Sequence, residues 1–279
     1  MDPTTSARRT TTLRPSSGWV SVRPRELWDY RELFYFMTWR DVKVRYKQTA
    51  LGAAWAVLQP FLTMVAFSLF FGSLAGISSG GVPYPVFAFA ALVPWTFFAT
   101  SVALAGNSLV EHERMLTKVY FPRLIVPAAA VLSCLVDFAI AFLVLLGMML
   151  VYGITPSTAI LALPFFVVLA AVTALAVAVW LSALNVLYRD VRYTIPFLVQ
   201  FWLFVSPVAY PSSLVPESWR MVYGLNPMAG VIEGFRWALL GESDPPGPML
   251  AVSILVVAAL LAGGLLFFRR MERSFADVV

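Results

Sequence analysis

The sequence predicts an all-α integral membrane protein: six transmembrane helices preceded by an amphipathic helix at the membrane surface. Three observations predict it. Of 279 residues, 60% are hydrophobic and 13% charged, against roughly 45–50% and about 25% in a soluble domain, an apolar surplus too large for one core to hide. Six apolar runs reach or approach the roughly 20 residues that a bilayer span takes. Eighteen of the twenty Lys and Arg residues fall on alternate links between those runs.

Residues 1–23 open with MDPTTSARRTTTLRPSSG, which is Thr, Ser, Pro and Arg with almost no apolar content; such a segment does not offset its own ordering entropy and predicts a flexible tail. No apolar stretch follows within the first 30 residues, so the Arg-rich start is not the basic region of a secretory signal. The N-terminus is expected in the cytoplasm.

Residues 24–48 predict the interfacial helix. The stretch PRELWDYRELFYFMTWRDVKVRYK mixes Leu27, Trp28, Leu33, Phe34, Phe36, Met37 and Trp39 with ten charged residues, too many to cross lipid. Interleaved aromatic and basic groups suit a helix lying in the headgroup plane. A helix docked on a partner fits the same pattern, and the two readings are compatible.

The transmembrane domain is expected over 49–270, with spans at about 51–76, 85–109, 124–152, 157–184, 193–210 and 248–268, the fifth being the shortest. Pro60, Pro94, Gly106, Pro164 and Pro207 inside these runs suggest kinks rather than breaks, because neighbouring helices re-satisfy backbone groups in membranes. The positive-inside rule puts both termini, including 271–279, in the cytoplasm. Only Arg220 and Arg236 fall on the other side, among Glu217, Glu233, Glu242 and Asp244. That side also holds a long link, 211–247, whose length points to function; within it GVIEGFRWALLG (230–241) reads as a short amphipathic helix, re-entrant or interfacial.

No phosphate cradle, dinucleotide fingerprint or paired-histidine spacing occurs in the sequence, which argues against an enzyme and against a metal site in this chain. Cys134 has no second thiol to pair with. Glu111, His112 and Glu113 point in three directions on a helix and do not converge as zinc requires; they read as a solvated or partner-facing loop. Asp137 is the one formal charge deep in an apolar run, and two readings stand for it: a proton-relay group in a secondary carrier, or a carboxyl hydrogen-bonded to another helix. Aromatic, amide and hydroxyl groups along the spans suit stacking on sugar rings, and equally suit an interfacial belt.

From Trp39 to Pro60, WRDVKVRYKQTALGAAWAVLQP resembles the membrane subunit of the polysaccharide-exporting ABC transporters, the ABC-2 type family that includes O-antigen, capsule and teichoic acid exporters. KVYFPR (118–123), LVDF (135–138), LNVLYRDVRY (184–193), SPVAYP (206–211) and Asn226-Pro227 with Arg236 downstream match the same pattern in the same order. The resemblance covers about 25–270.

It implies a homodimeric permease working with two copies of a separate ABC ATPase, which would hold the ATP and Mg, and exporting a glycan linked to polyprenyl diphosphate across the inner membrane; nucleic acid is not an expected partner. It further implies ATPase-coupling segments at Glu111, Glu113, Arg114 and Arg123 and at Tyr188, Arg189, Asp190 and Arg192. Arg40, Lys43, Arg45 and Lys47, at headgroup depth, are the candidates for the lipid diphosphate, although topology alone also places basic residues there. The family's channel lining points to Trp55, Gln59, Phe67, Gln200, Trp202 and Tyr210. Its external gate helices point to Trp219, Tyr223 and Trp237. The sugar is not specified, an O-antigen and a cell-wall galactan fitting alike, and a membrane anchor of a glycan-assembly complex is the remaining alternative.

Overall fold

The computed structural model describes residues 28–47, 52–241 and 245–272, so the tail, the first residues of the interfacial helix and 273–279 lie outside the described residues. Among the described residues the chain is helical throughout, with turns between. In chain order the helices are α1 (Arg31–Lys47), α2 (Gly52–Phe67), α3 (Tyr84–Glu111), α4 (Glu113–Leu116), α5 (Ile125–Val151), α6 (Leu163–Leu187), α7 (Val191–Val205), α8 (Glu217–Tyr223), α9 (Pro227–Leu240) and α10 (Pro248–Met271). A π-helical stretch, Ser68–Leu74, extends α2, and a short 3₁₀ turn, Thr158–Ala162, leads into α6.

Five of these units are long and apolar enough to cross a membrane: Ala54–Leu74, Tyr84–Glu111, Ile125–Val151, Thr158–Leu187 and Pro248–Met271. The fifth apolar run behaves differently. Its helix, α7, begins at Val191 and stops at Val205, 15 residues in all, because Ser206 turns to an extended conformation and Pro207 follows without an N–H to continue the ladder. Pro164, by contrast, interrupts nothing, since it occupies the first turn of α6, where a proline is tolerated. Pro60, Pro94 and Pro196 do sit inside helices.

The most buried span is α3, packed among α5, α6 and α9 in one extended core that includes Phe89, Phe98, Leu145, Phe166 and Phe235. By contrast few residues of α2 and α10 are fully buried. A second, smaller core lies at the α1 end, where Met37 packs with Leu109, Leu116, Phe121, Ile125, Val186 and Phe268.

The sequence reading of GVIEGFRWALLG as amphipathic is corrected by α9, which is buried on nearly every side. Two glycines one turn apart allow it: a Cβ at Gly234 would lie 2.0 Å from the Phe166 ring, and one at Gly230 would meet Ser253 Oγ at 2.8 Å. The charged residues of α9 are therefore interior groups and need partners.

Candidate functional site

The candidate side chains gather at the two ends of the bundle. At the α1 end, Arg45 donates from Nη1 to Asp137 of α5, and the Tyr46 hydroxyl donates to the second carboxylate oxygen. Arg45 Nη2 donates to Ser133 Oγ at 3.3 Å. Asp137 thus has its countercharge inside the fold, and burial together with that carboxylate pushes the Tyr46 phenol above its ordinary value.

The four basic residues considered for diphosphate do not converge. At 100° per residue Arg40, Lys43 and Lys47 share one side of α1, while Arg45 projects about 140° from Arg40. Lys47 is exposed, and Lys43 Nζ sits 5.3 Å over the Trp39 ring. Arg40 contacts Asp41 at 2.8 Å and reaches Nε2 of His112. Since His112 Nδ1 lies 2.7 Å from the Ser108 carbonyl, its proton belongs on Nδ1, which leaves Nε2 to accept from Arg40. His112 is turned inward between the exposed Glu111 and Glu113, so the tripeptide is only partly a solvated loop.

The two charged segments expected to couple to an ATPase emerge at this same end. Asn185 of α6 donates to the Gly106 carbonyl at 3.0 Å and to Asn107 Oδ1 at 2.9 Å, fixing the ends of α3 and α6 side by side. Beyond that bond Glu111, Glu113 and Arg114 on one segment and Tyr188, Arg189, Asp190 and Arg192 on the other are exposed. Arg123 is held differently: its Nη1 donates to the Glu272 carbonyl at 2.6 Å and its backbone N–H to Glu272 Oε1 at 3.2 Å, which fastens the segment to the end of α10.

At the opposite end, motifs scattered over 202–236 form a clamp. Asn226 caps α9 by accepting from Met228 N, accepts from Trp202 Nε1 at 2.9 Å, and donates to Ser206 Oγ at 3.0 Å and the Val205 carbonyl at 3.3 Å. Arg236, 3% exposed, donates to the carbonyls of Pro207 and Val208, both at 2.7 Å, and to Glu233 at 3.2 Å, with its guanidinium 3.6 Å from the Phe87 ring centroid. One buried cation thus takes carbonyls of the non-helical backbone that follows α7. Burial pulls the guanidinium below its ordinary value, and Glu233 opposes that pull.

Helix α8 separates two cavities. On one side Trp219, Val222 and Tyr223 join Leu198, Phe201 and Trp202 around an apolar groove of 640 Å³. On the other, Glu217 and Arg220 face a cleft of mixed lining that includes Ser78, Ser212, Glu233, Leu214 and Met221. Tyr210 Oη and Tyr223 Oη are 3.0 Å apart, and burial and this bond push the Tyr223 phenol up. Trp202, Trp219 and Tyr223 therefore come together. Trp237 does not join them; it is half-buried and packs edge-on to Phe166.

Of the remaining lining candidates, Trp55 and Gln59 lie on the exposed side of α2, and Gln200 is exposed on α7. Phe67 is buried in the core against Phe71, so it is no part of that exposed side. Asn185, Asn226 and Tyr46 are not marked out by their residue types, and the signal for them is their place within the quoted motifs, whereas His112 reads in sequence only as part of a solvated or partner-facing loop.

A polytopic helical membrane protein with exposed charged segments at one end and an aromatic groove at the other is the class that this fold and these ends define. The chain belongs to the ABC-2 type transporter family, whose model matches residues 32–240. It is 32% identical over 260 residues to an O-antigen export system permease protein, RfbA, of Myxococcus xanthus, covering 91% of this chain and 98% of that one. A protein of the same description from Klebsiella pneumoniae is 26% identical over 250 residues, 89% and 95% of the two chains. The polysialic acid transport protein KpsM of Escherichia coli is 20% identical over 236 residues, 84% and 92%.

Proposed function

We propose that this chain is the permease subunit of an ATP-driven exporter of a lipid-linked polysaccharide, an O-antigen or a comparable cell-envelope glycan, in the inner membrane. Two copies would assemble with two ABC ATPase subunits, with the α1 end and both termini cytoplasmic. The observation that carries the reading is the pair of exposed charged segments brought to one end by Asn185, in a chain that matches O-antigen export permeases over nearly its whole length.

Charged groups at such a joint set register and partner choice. Lys43 and Lys47, on one side of α1 beside the first span, are the residues for the lipid diphosphate. The exposed side of α2 with Trp55 and Gln59, together with α7 and the groove of Trp202, Trp219 and Tyr223, supports a sugar path between two copies, because aromatic rings offer apolar stacking surfaces with polar tips. A proton carrier built on Asp137 is disfavoured, since Arg45 and Tyr46 already occupy that carboxylate.

The test is deletion of the gene, with surface glycan and lipid-linked precursor measured in the same cells. Loss of surface glycan with precursor accumulating inside supports the exporter. Surface glycan at wild-type level overturns it. Co-purification of an ABC ATPase with the tagged permease is the accompanying biochemical readout.

A further inference from the structure

We infer that α1 is a positioning arm joining the first coupling segment to the interior of the bundle, with Arg40–His112 as one joint and Arg45–Asp137 as the other. The inference rests on the exporter reading above and assigns Arg40, His112, Arg45, Tyr46 and Asp137 a role in transmitting movement rather than in holding substrate.

Three observations carry it. Arg40 meets the His112 ring at the junction of α3 and α4, the point at which the exposed segment 111–114 leaves the bundle. Five residues on, roughly 7.5 Å along a helix axis, Arg45 and Tyr46 close on Asp137, in the interior of α5. Between the joints α1 is seated rather than floating: Met37 is 3% exposed in the small core that also holds Leu116 and Phe121 of the same segment.

A displacement of that segment therefore shifts α1 through Arg40 and Met37, and α1 in turn draws on α5 through a charge pair. An ion pair suits such a joint because its partners are specific in position and costly to separate in a medium of low dielectric. The chemistry at His112 is equally specific: Nδ1–H is committed to the Ser108 carbonyl, so only Nε2 is available to receive Arg40.

The arm is tested with the permease–ATPase complex of the source cells, reading ATP hydrolysis by the purified complex in vesicles of the cells' own lipids, and surface glycan on cells carrying each variant. His112→Leu and Asp137→Asn are expected to lower surface glycan per ATP hydrolysed at least about fivefold while hydrolysis stays within about twofold of wild type, as loss of a typical coupling energy predicts. His112→Gln, which offers an amide oxygen near the Nε2 position, restores most of the ratio. Arg40→Leu added to His112→Leu lowers it no further, because the two residues serve one contact. The exchange Arg45→Asp with Asp137→Arg recovers part of what either change loses, which guards against variants that merely misfold.

Unchanged glycan and hydrolysis in both single variants overturns the arm, as does a parallel fall in the two readouts. Loss of export in Arg45→Leu but not in Asp137→Asn, with a raised KM for polyprenyl diphosphate as the probe, also overturns it and places Arg45 on substrate. Failure of the exporter reading is distinguished by surface glycan retained in the deletion strain itself.

Discussion

Arg45 and Asp137, ninety-two positions apart, form an ion pair between the surface helix α1 and the apolar span α5. Each resolves the other's difficulty. A carboxylate at that depth is costly in lipid, and an arginine at the start of a transmembrane domain would otherwise face headgroups. The side chains are 24% and 20% exposed, so removing one charge costs less than in a sealed interior.

Asp137→Asn is expected to destabilise the purified permease by about 1–3 kcal/mol, below the usual range for a fully buried pair. Thermal unfolding in detergent, followed by size-exclusion chromatography, checks the value. An Asn variant as stable as wild type shows that the pair does not hold α1.

Arg236 is the less forgiving cation. Four carbonyls, those of Phe87, Pro207, Val208 and Tyr210, and the Glu233 carboxylate take its donors. Arg236→Ala leaves that carboxylate and those carbonyls buried without their donor, at a cost of about 3–5 kcal/mol. Arg236→Lys keeps the charge but not the planar fork of five N–H groups, and is expected to recover less than half of the loss. Yield of monodisperse protein and its unfolding midpoint are the measurements; a Lys variant of wild-type stability sinks the argument from geometry.

Gly234 tests the packing of α9. Because an added Cβ would overlap the Phe166 ring, Gly234→Ala should destabilise by about 1–3 kcal/mol, as overpacking does. Phe166→Leu alone also destabilises, whereas the double variant loses less than the sum, because the smaller side chain admits the methyl group. Additive losses in the unfolding midpoint would mean that the two residues do not meet.

Asn185 bears on assembly. Asn185→Leu removes both bonds to α3 without adding charge, and about 1–3 kcal/mol of stability goes with them. The expected consequence is a permease that remains folded yet retains the ATPase poorly, measured by the yield of ATPase in a pull-down against an equal amount of permease. Undiminished retention would show that the spacing of the two segments does not depend on this residue.

How much of this was legible beforehand differs between residues. Five of the six expected spans were, because twenty consecutive apolar residues have few other uses, and the end carrying the charged segments followed from where Arg and Lys fall. The partner of Asp137 was not: Arg45 sits in a helix whose composition says only that it prefers an interface, and nothing in local spacing points it at α5. The interior placement of α9 was missed because Glu233 and Arg236 read as a polar side, whereas they neutralise one another within one turn of a buried helix. Gly230 and Gly234 were the overlooked signal. Phe67 shows the limit of reading a channel from residue type, since neighbours on α2 with the same chemistry divide between core and exposed side according to helical phase alone.

The early end of α7 has a consequence for the bilayer. Fifteen helical residues span roughly 22 Å at 1.5 Å per residue, against a hydrocarbon layer of about 30 Å. The backbone that follows is not helical, and its carbonyls are satisfied by Arg236 rather than by lipid or water. On the exporter reading, which puts this end outside, a thinner membrane or water beside α7 matches the shorter element, and the outer aqueous phase would then reach about a quarter of the way into the layer. A sugar chain moving along α7 would then meet a shorter hydrophobic barrier than one crossing elsewhere.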